Sequence, residues 1–385
     1  MDFALNDDQS MIAEAAGRIA RDRLLANAEA LDRGEGRPLL LENLKLLAEN
    51  GFMGLNVAGE FGGTEAGAVS FALTVRELAK ACASTAVTVS VTNMVGEVVQ
   101  AVGSQDQRRT YLPRICDGTY PAAAFCLTEA GAGSDPAGMR MSARMDGNEW
   151  VLNGSKLYIT SAEYAGLFVV WAVTDPDADK GKGISCFLVE ADAPGVRIGK
   201  AEGKMGQTGS ATNEVHFEEC RIPADAVMGT VDGGFKVAVG ELAGGRIGIA
   251  ALALGIAEAA MDAAKRYMHE RRQFGHALAD MQGLQWMVAD RETDLEAARL
   301  LILNAASLKD RGKPFGKAAS MAKLFASEAA QRATYTALQI HGGAGYLKDY
   351  PLERYARDAR ITTIYEGTSE IQRLIIAREA LREAS

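Results

Sequence analysis

The sequence of 385 residues has no run of about 18 or more uninterrupted apolar residues, the length that a membrane-spanning helix needs. Its most apolar stretch, Ile247 to Ile256, is rich in Ala and Gly and is typical of a tightly packed internal helix. The first segment, Met1 to Arg23, carries acidic residues and an amphipathic pattern where a signal peptide has a basic flank and an apolar core. We therefore expect neither membrane insertion nor a signal peptide.

Cysteine, histidine and positive charge are also scarce. The five cysteines form no C-x-x-C pair, and their odd number and wide spacing indicate reduced thiols in a cytosol-like compartment: the cytoplasm of a bacterium, or the mitochondrial matrix of a eukaryote. The four histidines provide no Glu-x-x-His pairs for a carboxylate-bridged metal centre, so we expect no metal. A net charge of -9 and a pI near 5.2 disfavour a nucleic-acid-binding surface.

The chain is long enough for two or three domains, and its texture changes twice. Apolar residues recur at helical spacing over 1–118, which predicts an all-α domain. Over 119–230, short Val, Ile, Phe and Trp runs alternate with turn pairs such as Asp146-Gly147, which predicts a β-barrel or sandwich. Ala-rich helical patterns return over 231–385 and favour a helical bundle. The predicted fold class is α+β multidomain, in the order helical, β, helical.

Individual elements can be placed within these regions. Phe168 to Val173 and Ile184 to Val189 are predicted to be buried strands because they are continuously apolar, whereas Glu214 to Glu218 alternates like a half-exposed strand. The helical patterns of the last region cover Leu252 to Glu270, Leu284 to Leu308, Ala318 to Ile340, and Glu370 to the end.

A glycine-rich stretch follows the first apolar strand of the β region. It runs from Phe125 to Pro136, and its Gly131 and Gly133 lack a Cβ, so neighbouring N–H groups can approach a flat or anionic ligand. A plain turn explains the same glycines. The stretch is neither a Walker loop nor a dinucleotide fingerprint, which disfavours a nucleotide kinase.

Three further segments carry polar groups that bind ligands in some proteins and are structural in most. Tyr158 and Thr160 are two residues apart in a predicted strand, which puts both on one face. Arg271 offers a planar fork suited to diphosphate, although a basic residue at a helix end also complements the helix dipole. The glycines after Gln339 are explained by a helix C-cap, and we expect His341 to be structural.

The last segment places Glu366 just before a helix. Ser369 and Gln372 form an S-x-x-Q pattern that predicts a capping box. An acid in this location has two interpretations. It can complement the positive end of the helix dipole, or it can face an apolar cavity between Ile364 and Tyr365, where desolvation makes it a better base.

Taken together, these motifs resemble the acyl-CoA dehydrogenases in order and spacing over essentially the whole chain. The resemblance implies an N-terminal helical domain, a middle β domain and a C-terminal four-helix bundle, with FAD as the cofactor. It implies a homo-oligomer, typically a tetramer, because members of the family hold FAD partly through a neighbouring subunit. It further implies that electrons pass to an electron-transferring flavoprotein.

The resemblance also assigns site residues. Those implied to contact FAD are Phe125, Leu127, Thr128, Gly133, Ser134, Tyr158, Ile159, Thr160, Arg271, Phe274, Gln282, Gln339, Gly342, Gly343, Thr368 and Glu370. Those implied to contact the acyl-CoA substrate are Ser134, Arg246 and Gly367.

Glu366 is implied to be the catalytic base. It would remove the α-proton of the acyl-CoA thioester while the β-hydrogen leaves as hydride to flavin N5, giving the trans-2-enoyl-CoA. Hydrogen bonds to the thioester oxygen would stabilise the developing enolate-like charge. Some members carry their base instead just before the arginine of the helix that follows the β domain, but Gly245 stands there in this chain. Many members have Asp where this chain has Ala243, which bears on substrate details.

Three alternatives remain at this point. An acyl-CoA oxidase would share the base and the flavin but pass electrons to oxygen, and such chains are usually much longer. A non-catalytic thioester-binding scaffold on the same fold would have no need of Glu366 and the flavin motifs. A metal protein in the bundle is disfavoured by the histidine pattern given above. The acyl chain length stays undetermined, with short or branched chains favoured.

Overall fold

The computed structural model describes residues 4–34 and 36–383, and the elements follow the predicted order of helices, sheet and helices. The last predicted helix, which we extended to the end of the chain, therefore reaches past the described residues. A π-helical turn, Ala20–Leu24, connects the first two helices. The helices of the N-terminal region are α1 Asp7–Ile19, α2 Leu25–Asp32, α3 Arg37–Glu49, α4 Gly67–Ala81, α5 Ala83–Val102 and α6 Gln105–Cys116.

The middle region is one eight-stranded sheet in which most neighbouring strands are antiparallel. Its strands are β1 Ala122–Cys126, β2 Ser142–Asp146, β3 Glu149–Thr160, β4 Ala165–Val173, β5 Ile184–Glu190, β6 Val196–Ala201, β7 Thr212–Pro223 and β8 Val227–Met228. They are ordered β6-β7-β3-β2-β4-β5-β8, with β1 running parallel to β4. All three predicted strands are confirmed.

Strands β4 and β5 are mostly apolar because both of their faces are covered. Alternate residues such as Val169 and Trp171 join a core shared with α5 and α6, while Phe168 and Val170 face the other strands of the sheet. In β7, by contrast, buried Val215 and Phe217 alternate with more exposed neighbours, as predicted for a half-exposed strand. The middle region is thus fastened to the helices by one side of its sheet.

The C-terminal region contains five helices and a two-stranded hairpin. These are α7 Gly234–Glu270, β9 Arg272–Gln273, β10 His276–Ala277, α8 Gln282–Asp310, α9 Gly316–His341, α10 Leu352–Arg360 and α11 Ser369–Arg382. Helices α7, α8 and α9 pack against one another, and α10 and α11 pack on α9. The predicted domain limits stay predictions, because α7 also packs on α4 and α5 across them.

Helix α7 begins earlier than predicted. The apolar stretch from Ile247 indicated a packed helix and the helical pattern was predicted from Leu252, but the helix begins at Gly234, because the glycines before Ile247 are poor helix formers and hide its start. At 37 residues, with a mean hydropathy of 1.6 over its most apolar 18-residue window, it is long and apolar enough to span a membrane. Within the fold, 78% of that window is buried, as in the core helix of a soluble protein.

One side chain of the C-terminal region caps a helix of the N-terminal region. Asp310, the last residue of α8, accepts hydrogen bonds from Ala68 N (2.6 Å, at Oδ1) and Val69 N (3.1 Å, at Oδ2) in the first turn of α4. Since the residue before α4, Ala66, makes no side-chain cap, the free N–H groups of α4 depend on a residue more than 240 positions away.

We expect the substitution Asp310→Ala to lower the free energy of unfolding by about 1 to 2 kcal/mol, because two N–H groups of α4 lose their acceptor. Denaturant unfolding followed by circular dichroism measures this. Asp290→Ala, which removes an exposed acid of the same helix, is the matched control and should change the stability by no more than about 0.5 kcal/mol. Equal effects of the two substitutions would contradict a capping role for Asp310.

Candidate active site

Glu366 lies in a tight turn between α10 and α11. Its φ of 52° and that of Gly367, 91°, both fall in the left-handed region, which is unusual for a residue with a side chain. Helix α11 then begins, with Thr368 as its N-cap: the Thr368 side chain accepts a hydrogen bond from Ile371 N. The predicted capping box is therefore wrong, because Ser369 is already inside the helix.

Gln372 has a different partner from the one its spacing suggested. Its Nε2 donates to the carbonyl oxygens of Gly367 (2.8 Å) and Glu366 (3.2 Å). Since Thr368 already caps the helix, Gln372 is free to reach back over the turn. Its side chain holds the backbone on which Glu366 is mounted.

The carboxyl group of Glu366 is directed into the protein. Its Oε2 is buried and has no hydrogen-bond partner among the residues that the structure describes. It lies beside Gly245 on α7, where a Cβ would collide with it and would come within 2.7 Å of Met94 Sδ. Burial raises the pKa of Glu366 from its usual 4.5 to about 7, against the opposing attraction of Lys323 and Arg246. Of the two interpretations from the sequence, the geometry favours the desolvated base.

Two buried cations flank this carboxyl group. Arg246, only 6% exposed, directs an Nη1 at Ser320 Oγ (3.5 Å), and its Nε has no hydrogen-bond partner. Lys323 on α9 is fully buried and donates from Nζ to the carbonyl of Gly367 (2.7 Å). Burial lowers the pKa of the Lys323 ammonium to about 8. Arg246 was predicted from the sequence, whereas Lys323 was not, because its only signal is a lysine within an alanine-lined helix face.

On the β side, a buried ion pair joins two of the predicted ligand segments. Lys156 Nζ donates to Glu129 Oε1 (2.7 Å) and to the carbonyl of Leu127 (3.1 Å). Leu157 N donates to the carbonyl of Thr128 (2.8 Å). The stretch after β1 is thereby fixed to the end of β3. The pairing of Lys156 with Glu129 was not predicted from the sequence, because the two residues lie 27 positions apart.

The surface next to this ion pair is open. A Cβ added at Gly131 or Gly133 would meet no atom within 4 Å, and Ser134 is exposed. Ile159 is buried, whereas Tyr158 is 68% exposed and Thr160 is half-buried, as the predicted alternation requires, although Tyr158 has a φ of 58° beside a register shift. A side chain of Ile159 cannot reach a ligand, so only its backbone could do so. The exposed ring and free glycine backbone fit a flat ligand.

A second open region lies at the start of α11. A cleft of about 330 Å³ contains both Thr368 and Glu370, the predicted contacts after the base. Its lining residues are Glu328, Gln331, Arg360, Thr363, Ile364, Thr368, Ser369 and Glu370.

The remaining predicted ligand residues lie at the far end of the bundle. Arg271 follows α7 and Gly342 follows α9, 25 and 19 positions beyond Arg246 and Lys323, which corresponds to roughly 28 to 38 Å along the helix axes. Phe274, at the tip of the β9–β10 hairpin, is 92% exposed. The other predicted ligand residues of this end, Gln282, Gln339 and Gly343, are also exposed. A single chain does not bring these residues to Glu366.

An aromatic cluster holds this far end together. His341 stacks on Tyr267 with ring centroids 4.2 Å apart, and Tyr350 meets both rings edge-on. His341 Nδ1 donates to the carbonyl of Ala337 (2.8 Å), and burial lowers the pKa of the imidazole. The expectation that His341 is structural is confirmed.

Comparison with known families identifies the family of the chain. Three family models match the chain: the N-terminal domain of the acyl-CoA dehydrogenases over residues 6–119, the middle domain over 124–220 and the C-terminal domain over 232–381. The chain therefore belongs to the acyl-CoA dehydrogenase family, and it is an oxidoreductase of that family. A curated relative, the acryloyl-CoA reductase (NADH) of Anaerotignum propionicum, is 46% identical over 99% of this chain and 96% of its own length.

Solved structures agree. A chain from a structure of the electron transferring flavoprotein of Acidaminococcus fermentans, described in terms of flavin-based electron bifurcation, is 43% identical with a TM-score of 0.96, covering 99% of this chain and all of that one. Butyryl-CoA dehydrogenase from Megasphaera elsdenii is 38% identical with a TM-score of 0.95 at the same coverage. An acyl-CoA dehydrogenase of Bacillus anthracis complexed with FAD is 29% identical with a TM-score of 0.93, covering 99% of this chain and 68% of that one. FAD, the cofactor inferred from the sequence, is thus a cofactor of the family.

The contact between Gly245 and Glu366 gives a direct test. We expect Gly245→Ala to lower kcat by at least about 10-fold, because a methyl group would displace the buried carboxyl oxygen from its position. Steady-state kinetics on the FAD-loaded protein measures this. Gly240→Ala is the matched control on the same helix, since a Cβ there meets no atom within 4 Å, and it should leave kcat unchanged. An unaltered kcat in Gly245→Ala would show that the carboxyl does not act from this position.

Proposed function

We propose that the protein is an FAD-dependent acyl-CoA dehydrogenase in which Glu366 removes the α-proton of an acyl-CoA thioester to give the trans-2-enoyl-CoA. The observation that carries this is the buried, unpartnered Oε2 of Glu366, a carboxyl oxygen free to accept a proton. A group whose pKa is about 7 can be deprotonated at neutral pH and still be a strong enough base to take a proton. The membership of the acyl-CoA dehydrogenase family supports the same reaction.

The α-proton of a thioester is only weakly acidic, so the base needs help from the groups around it. The cationic Arg246 and Lys323 provide positive potential in a water-poor site, which favours negative charge developing on the substrate. The backbone N–H of Glu366 is the donor that we assign to the thioester oxygen. Ser134 and Gly367 complete the proposed substrate contacts.

The residues beside β1 and β3 fit FAD. We assign its flavin portion to the open surface formed by Phe125 to Ser134 and Tyr158 to Thr160, and further contacts to Thr368 and Glu370 in the cleft at α11. When bound there, FAD supplies the acceptor for the β-hydrogen, which leaves as hydride. The chain itself supplies the proton acceptor and keeps water from the reacting carbons.

We further propose that the working enzyme is a homo-oligomer, with a tetramer as the expected form. The distance of roughly 28 to 38 Å between Glu366's neighbours and the far-end segment supports this, because Arg271, Phe274, Gln282, Gln339, Gly342 and Gly343 then reach FAD only in another subunit. An electron-transferring flavoprotein is the proposed electron acceptor. The similarity to a chain in the Acidaminococcus fermentans flavoprotein structure supports that partner.

A second candidate is the reverse reaction, reduction of a short enoyl-CoA. The 46% identical relative named acryloyl-CoA reductase (NADH) favours it. Both directions use the same base and cofactor, since protonated Glu366 would return the α-proton. The electron donor or acceptor, and not the site, then sets the direction.

Replacement of the base tests the proposal. We expect Glu366→Gln to bind FAD but to lower the rate of anaerobic flavin bleaching by acyl-CoA by at least about 10³-fold, because no proton acceptor remains. In the wild type, kcat/KM should rise with pH through about 7, the pKa of Glu366, since only the ionised carboxylate accepts the proton. Undiminished bleaching in Glu366→Gln would contradict the assignment, and absence of FAD from the wild-type protein would favour the scaffold alternative.

The helix opposite the base favours a short acyl group. Gly248 lies one step of about 4.5 Å along α7 from Gly245, and a Cβ there would collide with Ser90 Oγ and approach the Phe71 ring to 3.1 Å. Helices α5 and α7 are thus in contact just beyond the base. We propose that Phe71 and Ser90 close the acyl site and that the substrate carries a short acyl chain.

A series of acyl-CoA substrates tests this limit. We expect kcat/KM to be highest near butyryl-CoA and to fall by more than about 10-fold at octanoyl-CoA, because the longer chain meets Phe71. Phe71→Leu should reduce the ratio of kcat/KM for butyryl-CoA to kcat/KM for octanoyl-CoA, because the smaller side chain enlarges the closed end of the acyl site. Phe61→Leu changes a buried phenylalanine of a different core cluster and should leave the ratio as in the wild type. A flat profile across the series would rule out the proposed limit.

A further inference from the structure

The turn that carries Glu366 is held by the side chains of Lys323 and Gln372. The carbonyl of Gly367 accepts from both Lys323 Nζ (2.7 Å) and Gln372 Nε2 (2.8 Å), and Gln372 also reaches the carbonyl of Glu366. Lys323 comes from α9 and Gln372 from the first turns of α11. The turn is therefore tied to two helices at once.

The turn needs such support. Glu366 has a φ of 52°, and a residue with a side chain is strained in the left-handed region relative to ordinary backbone. Without a tie, rotation of the turn would swing the carboxyl group away from Gly245. The backbone conformation of Glu366 therefore determines the direction of its side chain.

The charge of Lys323 indicates a role other than filling space in the core. Its side chain is 0% exposed, on a helix face shared with Ala319, Ala322 and Ala326, and burying an ammonium there is costly unless it gains strong partners. A neutral residue would fill the same space at lower cost. What a lysine adds is a charged donor to the Gly367 carbonyl together with a positive charge beside Glu366.

We propose that Lys323, assisted by Gln372, is a positioning residue that fixes the Glu366 turn and sets the protonation of the base. This inference rests on the proposed role of Glu366 as the base. The charged groups that act on Lys323 are Glu366 in the turn, Arg246 from α7 and Glu370 from α11. Arg246 in turn is affected by Glu366 and by Arg378 of α11.

The two ties differ in a way that experiments can separate. Lys323 provides a hydrogen bond and a charge, whereas Gln372 provides hydrogen bonds alone. Removal of the charge leaves Glu366 buried with one cation fewer, so its carboxylate form is less stable and its pKa rises. Removal of the hydrogen bonds alone loosens the turn without that change.

The test uses the FAD-loaded full chain, with butyryl-CoA as the probe and kcat, KM and the pH profile of kcat/KM as readouts. Lys323→Met should lower kcat by about 10- to 100-fold, with a smaller change in KM, and should move the rising limb of the profile to higher pH. Gln372→Met should lower kcat by several-fold and leave the rising limb of the pH profile at its wild-type pH. Lys323→Arg keeps the charge, so its rising limb should lie at the wild-type pH and its kcat should be close to that of the wild type.

Lys317→Met is the matched control, since Lys317 lies on the same helix and pairs with Glu383. It should reproduce the wild-type kcat and profile. A Lys323→Met protein with a lower melting temperature but wild-type kcat and profile would overturn the proposal, because such a lysine only fills space. If Lys323→Met yields no FAD-loaded protein, the other two variants test the proposal. A wild-type kcat in Gln372→Met would overturn it. A rising limb of the pH profile that lies at higher pH in Lys323→Arg than in the wild type would also overturn it.

Glu366→Gln separates this proposal from the function on which it rests. If Glu366→Gln is inactive and Lys323→Met behaves as the wild type, the base stands and only the positioning role fails. If Glu366→Gln is fully active, the base assignment fails first, whatever Lys323 does.

Discussion

The site depends on the close approach of a carboxyl group to the backbone of helix α7. Glu366 Oε2 occupies the space that a side chain at position 245 would need, and α5 comes equally close at Gly248. Any larger residue at these two positions would push the base turn and α5 away. The glycines that weaken α7 as a helix are therefore the condition for the dry, narrow site beside it.

This arrangement places three ionisable groups out of water. Glu366, Arg246 and Lys323 come from three different elements, and none of them has a full set of hydrogen-bond partners in the way that Lys156 has with Glu129 and Leu127. Burial drives the pKa of Glu366 up and those of Lys323 and Arg246 down. Burying these three ionisable side chains lowers the free energy of unfolding, and the large apolar core around α4, α5, α7 and α9 offsets that loss.

Much of this could be predicted from sequence, and the failures have physical causes. The strands β4 and β5 were predictable because both of their faces are buried, which leaves a continuous apolar run. The start of α7, from Gly234 to Arg246, was not predicted, because the glycines of this segment have poor helix propensity. The cap of α11 was misplaced by one residue, since Thr368 and Ser369 are chemically equivalent candidates. Lys156, Glu129 and Lys323 were missed because their partners are distant in sequence, and periodicity carries no information on such pairs.

The cap that Asp310 places on α4 bears on how the chain is divided. Three family models divide the sequence into three consecutive segments, yet the end of α8 caps the start of α4, and α7 packs on α4 and α5 as well as on α8 and α9. The boundaries between the matched segments in sequence therefore do not separate the packed helices in the structure. An isolated N-terminal segment, residues 6–119, would expose the side of α4 that α7 covers and would leave the first turn of α4 without the Asp310 cap. We therefore expect the helical regions at the two ends of the chain to unfold together, because each completes the packing of the other.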